Sequence, residues 1–285
     1  MAKYLDPKAD VTFKKVFGEH KNLVMSLLNA LLPLDEGKKV ESIEYLPPEM
    51  VPETPLGKNT IVDVRCEETG GRKFIVEMQM EWRANFKQRV LLNASKAYVK
   101  QLPRGNEYNL LQPVYSLNLV NETFEPDMAE YYHYYRLVHY LHSDKVLEGL
   151  HLVFVELPKF KAKNLTEKKM QVLWLRFLTE IGEATKEAPQ DLVDNPHVNE
   201  ALEIVEESAL NDAERAAYDG FWDLVSREAT KEAEMKAAIA ERDAAKERLR
   251  QAICNLKEVG MSVEQVSKVT GLEPTEVETL WGCTK

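Results

Sequence analysis

The sequence predicts an α/β protein in which a mixed central sheet is followed by a helical C-terminal extension. The first 190 residues alternate between apolar patterns of helical period and of strand period, which is typical of layered α/β folds. Two short apolar runs flank a Gly-Gly pair, which indicates a β-hairpin. From about residue 191 the chain is charged, acidic and helical in pattern. We therefore expect a core domain over residues 1–190 and a helical tail over residues 191–285.

The predicted core runs in the order helix, three strands, helix, strand. Helical periodicity predicts a first helix from Thr12 to about Leu32, with Asp10 as its N-cap and Pro33 as its stop. The elements that follow are a strand over 39–46, hairpin strands over 61–66 and 74–80, a helix over 85–102 and a strand over 113–120.

Further elements are predicted after this core. Additional strands are expected within residues 127–160, the first of them in an unusually aromatic segment, and a helix is expected over 166–187. In the tail, a long helix over about 221–258 precedes a terminal helix pair at 262–281. Ser262 and Gln265 form a capping box at the start of that pair.

The charge of the chain is unevenly distributed. The net charge is −10, yet residues 1–110 hold 17 Lys and Arg against 15 Asp and Glu. A polyanionic partner such as DNA is therefore expected to meet the N-terminal half, since the acidic remainder would repel it.

The expected location is the cytoplasm, with no membrane association. The N-terminus lacks a signal-peptide pattern, and no stretch approaches the roughly 20 apolar residues of a membrane span. The wide spacing of Cys66, Cys254 and Cys283 is neither a disulfide framework nor a zinc pattern, which favours a reducing compartment.

The register of the hairpin decides where its carboxylates point. A two-residue turn at Gly70-Gly71 would place Asp63 among apolar side chains, and burying a carboxylate there is costly. A three-residue loop, 69–71 or 70–72, instead pairs Asp63 with Glu77 or Gln79. We therefore predict the three-residue loop, which gathers two carboxylates and one amide on a common face.

Two carboxylates on one face suit a hard divalent cation such as Mg²⁺ or Mn²⁺. Such an ion polarises a phosphodiester and lowers the pKa of a bound water. From the spacing alone, a solvated hairpin face with ordinary acidic residues remains the alternative.

Four stretches of the chain occur in a characteristic order: DVTFKKVFGE (10–19), IVDVRCEETGGRKFIVEMQM (61–80), FKQRVLLNASKAYVKQLPRGNEY (86–108) and HLVFVELPKF (151–160). Together they resemble the PD-(D/E)XK nuclease superfamily and, within it, the recombination-promoting nuclease or PD-(D/E)XK transposase family. The resemblance implies a restriction-endonuclease-like αβββαβ core and metal-dependent DNA endonuclease activity in bacterial recombination or transposition.

The resemblance also implies roles for single residues. Asp63 and Glu77 match the two metal-binding acidic positions, and Gln79 stands at the third catalytic position, where the superfamily usually has lysine. Glutamine brings no positive charge, so it is left to orient the attacking water or to contact the metal through its carbonyl oxygen. Asp10 matches an additional acidic position near the metal, although an N-cap role alone accounts for it and is favoured.

Three residues of the following helix match family positions and are candidates for substrate binding. Arg89 has the geometry to hold a phosphate through bidentate contacts, or is a surface charge. Tyr98 and Gln101 lie three residues apart on one helix face, where packing and helix-to-sheet hydrogen bonds are the alternative role.

The alternative function is a catalytically silent binding or regulatory protein that keeps the nuclease fold and acts through its helical tail. The missing lysine and the acidic C-terminal half motivate it. The C-terminal helices also provide a route to a homo-oligomer.

Overall fold

The computed structural model describes residues 3–35, 37–50, 60–81, 83–102, 107–161 and 169–281. The chain divides into two compact units, Met1–Phe221 and Trp222–Lys285. The first unit holds a mixed six-stranded sheet with helices on both faces, which confirms the predicted α/β architecture. Helices near residues 190–204 belong to this unit, whereas the sequence placed the domain boundary at residues 190/191.

The helices and strands of the first unit follow the predicted order with altered bounds. The elements are α1 Asp10–Glu19, α2 Lys21–Leu31, β1 Ile43–Tyr45, β2 Glu49–Met50, β3 Thr60–Ile61, β4 Val64–Glu68, β5 Lys73–Gln79, α3 Phe86–Val99, β6 Val114–Val120, β7 Tyr132–His139, β8 His142–Glu156, α4 Lys169–Glu180, α5 Gln190–Val193 and α6 Pro196–Ile204.

The central sheet has the strand order β1-β4-β5-β6-β8-β7. The three strands β5, β6 and β8 are parallel, and the outer pairs are antiparallel. Because parallel strands need a crossover, α3 connects β5 to β6 across one face of the sheet. The carboxyl ends of β5, β6 and β8 therefore meet at one edge.

The two faces of the sheet bury separate apolar clusters. One face packs Val76, Leu117 and Val153 against α1, α2, α4 and α6. The other face packs Ile75 and Val114 against the small residues of α3. The hairpin is therefore covered on both sides, whereas the sequence predicted one apolar face and one polar face.

The hairpin register is the predicted one with the loop at 69–71. Val64 pairs with Val76, Cys66 pairs with Phe74, and the amide of Glu68 donates to Arg72 O at 3.0 Å. Gly71 has φ = +86°, the left-handed conformation that a three-residue loop requires and that glycine adopts without strain.

The strand predicted over 61–66 is interrupted. β3 ends at Ile61 and pairs with β2 in a separate two-stranded sheet, and β4 begins at Val64. Val62 packs with Ile75 in the cluster under α3, although strict alternation predicted it on the face of Val64. The break frees Asp63 from regular strand geometry.

The predicted single N-terminal helix is two helices. His20 lies between α1 and α2 in an extended conformation (φ −115°, ψ 97°), and its Nδ1 lies 2.8 Å from Lys15 O. The break lets both helices pack on the sheet. The N-cap of α1 is Ala9, so the interpretation of Asp10 as an N-cap is wrong: Asp10 is the first helical residue.

The C-terminal helices were largely predicted. α7 Asp212–Glu258 starts nine residues before the predicted position, and its C-terminal part lies in the second unit. There, the terminal pair α8 Val263–Thr270 and α9 Pro274–Leu280 packs around Ile253, and the capping box of Ser262 is present.

Among the described residues, none of the helices combines the length and the apolar character needed to cross a membrane.

Candidate active site

The candidate site lies at the edge of the sheet where β5 ends. α1 approaches this edge from one face and α3 from the other. Strand alternation puts Glu77 and Gln79 on the face that α3 covers, in line with Ile75. Polar side chains at the end of β5 therefore face the first turns of α3.

Asp63 is held at this edge by the backbone of β5. Its Oδ2 accepts a hydrogen bond from Met78 N at 2.7 Å, so the side chain continues the hairpin just beyond the last ladder pair. The carboxylate of Asp63 is thereby fixed beside the segment that carries Glu77 and Gln79.

Glu77 is buried, with 4% of its surface exposed. Its Oε1 accepts from Asn93 Nδ2 at 3.0 Å, and its Oε2 lies 3.3 Å from Arg89 Nη2. Arg89 and Asn93 are four residues apart on α3 and so share one helix face. The buried carboxylate is thus held by a single stripe of the helix.

Gln79 contacts the same arginine. Its Oε1 accepts from Arg89 Nη2 at 2.6 Å, and its Nε2 donates to Glu81 O at 2.6 Å. The guanidinium carbon of Arg89 lies 4.8 Å from the centre of the Phe86 ring, a cation–π distance. Arg89 therefore lies between the side chains of Glu77, Gln79 and Phe86.

Burial dominates the electrostatics of both carboxylates. It raises the pKa of Asp63 to about 7, with the Met78 amide opposing this shift and the charge of Glu77 adding to it. Burial also raises the pKa of Glu77, against the lowering effects of Arg89 and Asn93. Two poorly solvated carboxylates, one of which raises the pKa of the other, favour the presence of a cation.

Asp10 and Lys14 extend the site on the α1 side. They form an ion pair with Nζ–Oδ1 2.7 Å, and both charges act on Asp63: Lys14 lowers its pKa and Asp10 raises it. Lys14 and Asp63 also line a common cavity of about 430 Å³. Asp10 therefore lies in the electrostatic range of the predicted metal-binding carboxylate.

The structure does not bring Tyr98 and Gln101 to this group. Twelve residues separate Arg89 from Gln101, roughly 18 Å along a helix axis. Gln101 makes two 2.9 Å hydrogen bonds with the backbone of Gln112, before β6, and Tyr98 contacts Gly149 of β8. Both residues connect α3 to the opposite end of the sheet.

The donor set is compatible with a hard divalent cation. Within the described ranges, no three His, Cys, Asp or Glu side chains are grouped to hold a metal ion, so the carboxylates of Asp63 and Glu77 would need neutral oxygens or water as co-ligands. One neutral oxygen beside Glu77 lacks a donor: Asn93 Oδ1 is buried without a hydrogen-bond partner in the described structure.

Sequence reasoning missed Asn93 and Lys14. Asn93 lies four residues after Arg89, and Lys14 four residues after Asp10, so helical spacing from the two predicted polar positions was the available signal. Neither residue type is distinctive by itself.

The mixed six-stranded sheet with helices on both faces has the architecture of a nuclease fold of the PD-(D/E)XK type. A family model described as PD-(D/E)XK nuclease family transposase matches residues 7–224, and the chain belongs to this family. No curated protein and no solved structure shows a significant match to the chain.

Proposed function

We propose that the protein is a metal-dependent DNA endonuclease that hydrolyses phosphodiester bonds in recombination or transposition. The observation that carries this proposal is that Asp63 accepts a hydrogen bond from the amide of Met78, the residue after Glu77, while Glu77 lies beside a partly exposed arginine. In a protein of a nuclease family, these two carboxylates would bind a cation, and the neighbouring arginine would bind a phosphate.

In this proposal Asp63 and Glu77 hold the ion, Mg²⁺ or Mn²⁺. When bound, such an ion neutralises charge on the phosphodiester and lowers the pKa of water. The Met78 amide and Asn93 orient the two carboxylates. Arg89 presents a guanidinium to the phosphate.

The proposal is tested by plasmid nicking in Mg²⁺. We expect Asp63→Ala and Glu77→Ala to lower the nicking rate by about 10³-fold, because the ion loses one of two charged ligands. Glu44→Gln, which changes an exposed carboxylate of β1, is the matched control and should nick like wild type. Equal nicking rates for wild type and Asp63→Ala would contradict the proposed endonuclease function.

A second candidate is a catalytically silent nuclease-fold protein. It is favoured by the absence of lysine at position 79 and by the contact of Arg89 with Glu77, which places a cation where a metal ion would bind. Calorimetric titration with Mn²⁺ separates the two. Heat of binding that disappears in Asp63→Ala supports the endonuclease, and the absence of any binding supports the silent protein.

A further inference from the structure

Gln79 is engaged through both ends of its amide. The carbonyl oxygen accepts from Arg89 Nη2 at 2.6 Å, and the amide nitrogen donates to Glu81 O at 2.6 Å. A contact of the side chain with a water or a metal through its carbonyl would compete with Arg89. The geometry therefore gives Gln79 a partner that the sequence did not indicate.

The two contacts need the chemistry of an amide. An uncharged amide offers an acceptor to the guanidinium and a donor to the Glu81 carbonyl from the same terminal group, which lysine does not. Lysine at this position would keep the donor, lose the acceptor, and place an ammonium beside the guanidinium of Arg89. Because like charges at such distances repel, lysine at 79 would push the guanidinium of Arg89 away from its observed position.

Arg89 is placed to contact a substrate as well as Gln79. Its side chain is 41% exposed, while its Nε is buried without a partner in the described structure and the group packs over Phe86. The inner part of the Arg89 side chain is thus fixed by packing, and its terminal guanidinium nitrogens reach the surface of the site. A planar guanidinium held in this way suits the oxygens of a phosphodiester.

We propose that Gln79 is a positioning residue that holds Arg89, and that Arg89 supplies the positive charge for the substrate phosphodiester at this site. The inference rests on the proposed endonuclease function. It explains the glutamine in physical terms: the charge comes from α3, and the residue at the end of β5 serves as its acceptor.

The test exchanges the positive charge and the amide between positions 79 and 89. The variants are Gln79→Lys, Arg89→Gln and the double variant with both changes, which has the net charge of wild type. We expect each single variant to lose about 10²-fold or more in nicking rate, by charge repulsion in one and charge loss in the other. The double variant should recover to within about 10-fold of wild type, because the charge is restored from the strand.

Lys100→Gln is the matched control, since it removes one positive charge from the other end of the same helix and should nick like wild type. Nicking by Gln79→Lys at or above the wild-type rate, or a double variant no better than the single variants, overturns the inference. Thermal melts of every variant without metal confirm that the comparison is between folded proteins.

A second readout does not depend on cleavage. DNA affinity is measured against salt in EDTA, where the slope counts the phosphate charges neutralised. We expect the slope to fall by about one for Arg89→Gln and for Gln79→Ala, and to return in the double variant. Identical slopes in all proteins overturn the inference. If the slopes differ as expected but wild type nicks DNA no faster than Asp63→Ala, only the endonuclease function is contradicted.

Discussion

At the scale of single residues, the candidate site holds two carboxylates whose charged forms are destabilised by burial. Burial raises the pKa of both Asp63 and Glu77, which means that the fold holds each carboxylate where its charge is poorly solvated. Hydrogen bonds from Met78 N and Asn93 Nδ2 offset only part of this cost. Such groups persist in folds when the stability lost there is recovered by burial elsewhere.

The buried carboxylate of Glu156 is the contrasting case, because its surroundings satisfy it. Its Oε1 accepts from the amides of Phe124 and Glu125, and its Oε2 pairs with His133 and with Lys159 at 2.5 Å. Burial by itself would raise the pKa of Glu156, but these hydrogen bonds outweigh it and hold the pKa below its usual value. This carboxylate therefore stabilises the end of β8 as an anion.

We expect Glu156→Gln to lower the free energy of unfolding at pH 7 by roughly 3 kcal/mol, since it leaves Lys159, whose side chain is only 13% exposed, without its counter-charge. The contribution is fully present above the ordinary glutamate pKa of about 4.3 and is lost as the pH falls through the lower folded value. Urea unfolding at pH 7 and pH 3 measures the difference, which should shrink at pH 3.

The control for this variant is Glu247→Gln, which removes an exposed carboxylate from α7 and should leave the unfolding midpoint unchanged. A difference between wild type and Glu156→Gln that is as large at pH 3 as at pH 7 would contradict the charged role of Glu156.

At the scale of elements, the packing of α3 against β8 depends on one glycine. Gly149 has φ = +150°, and a Cβ built there would lie 3.3 Å from the ring of Tyr98. The close approach lets the C-terminal part of α3 lie against the sheet. Tyr98 is thus placed by packing, at the end of α3 away from Arg89.

We expect Gly149→Ala to lower the free energy of unfolding by about 1–3 kcal/mol, because the backbone conformation is strained for alanine and the Tyr98 ring must move. Gly220→Ala is the matched control. Gly220 lies exposed within α7, and a Cβ added there would meet no atom within 4 Å, so the change should raise the free energy of unfolding by about 1 kcal/mol. Equal effects of the two variants in urea unfolding would refute the close-packing argument.

The long helix also shows how an element forms without a buried face. Residues 229–248 of α7 are all exposed. Alanine-rich composition and pairs such as Lys236–Glu232, at 2.7 Å and four residues apart, support the helix locally. In the part of the chain that the structure describes, this segment is therefore exposed to solvent.

At the scale of the whole molecule, each unit has its own core. The main cluster of the first unit ends, in sequence, with Val205. The cluster of the second unit is formed by Ile253, Val266 and Val277 and their neighbours. Removal of the second unit therefore deletes no residue of the main core.

We expect a protein ending at Phe221 to unfold cooperatively with a midpoint within about 5 °C of the full chain, because its core is complete. Circular dichroism melts measure this. The predicted role of the C-terminal helices in a homo-oligomer is tested on the same protein by light scattering. Loss of cooperative unfolding would contradict the expectation that the core is complete. An unchanged oligomeric state would contradict the predicted role of the C-terminal helices in a homo-oligomer.

The amino-acid sequence by itself determined the fold class, the order of most elements and the hairpin register. The register agrees with the prediction, but the cost of burying a carboxylate does not explain it, since both faces of the hairpin are covered and Glu77 is buried in the observed register as well. The tail helices were local, since caps and propensity specify them.

The tertiary structure alone decided the break at His20, the departure of Val62 from strand alternation, and the partners of Gln79 and Glu77 on α3. These features depend on where distant elements pack. Contacts between a strand and a helix ten or more residues later leave no periodic signal in the chain. The polar and apolar pattern of each element is the same whichever residues of the other element it contacts.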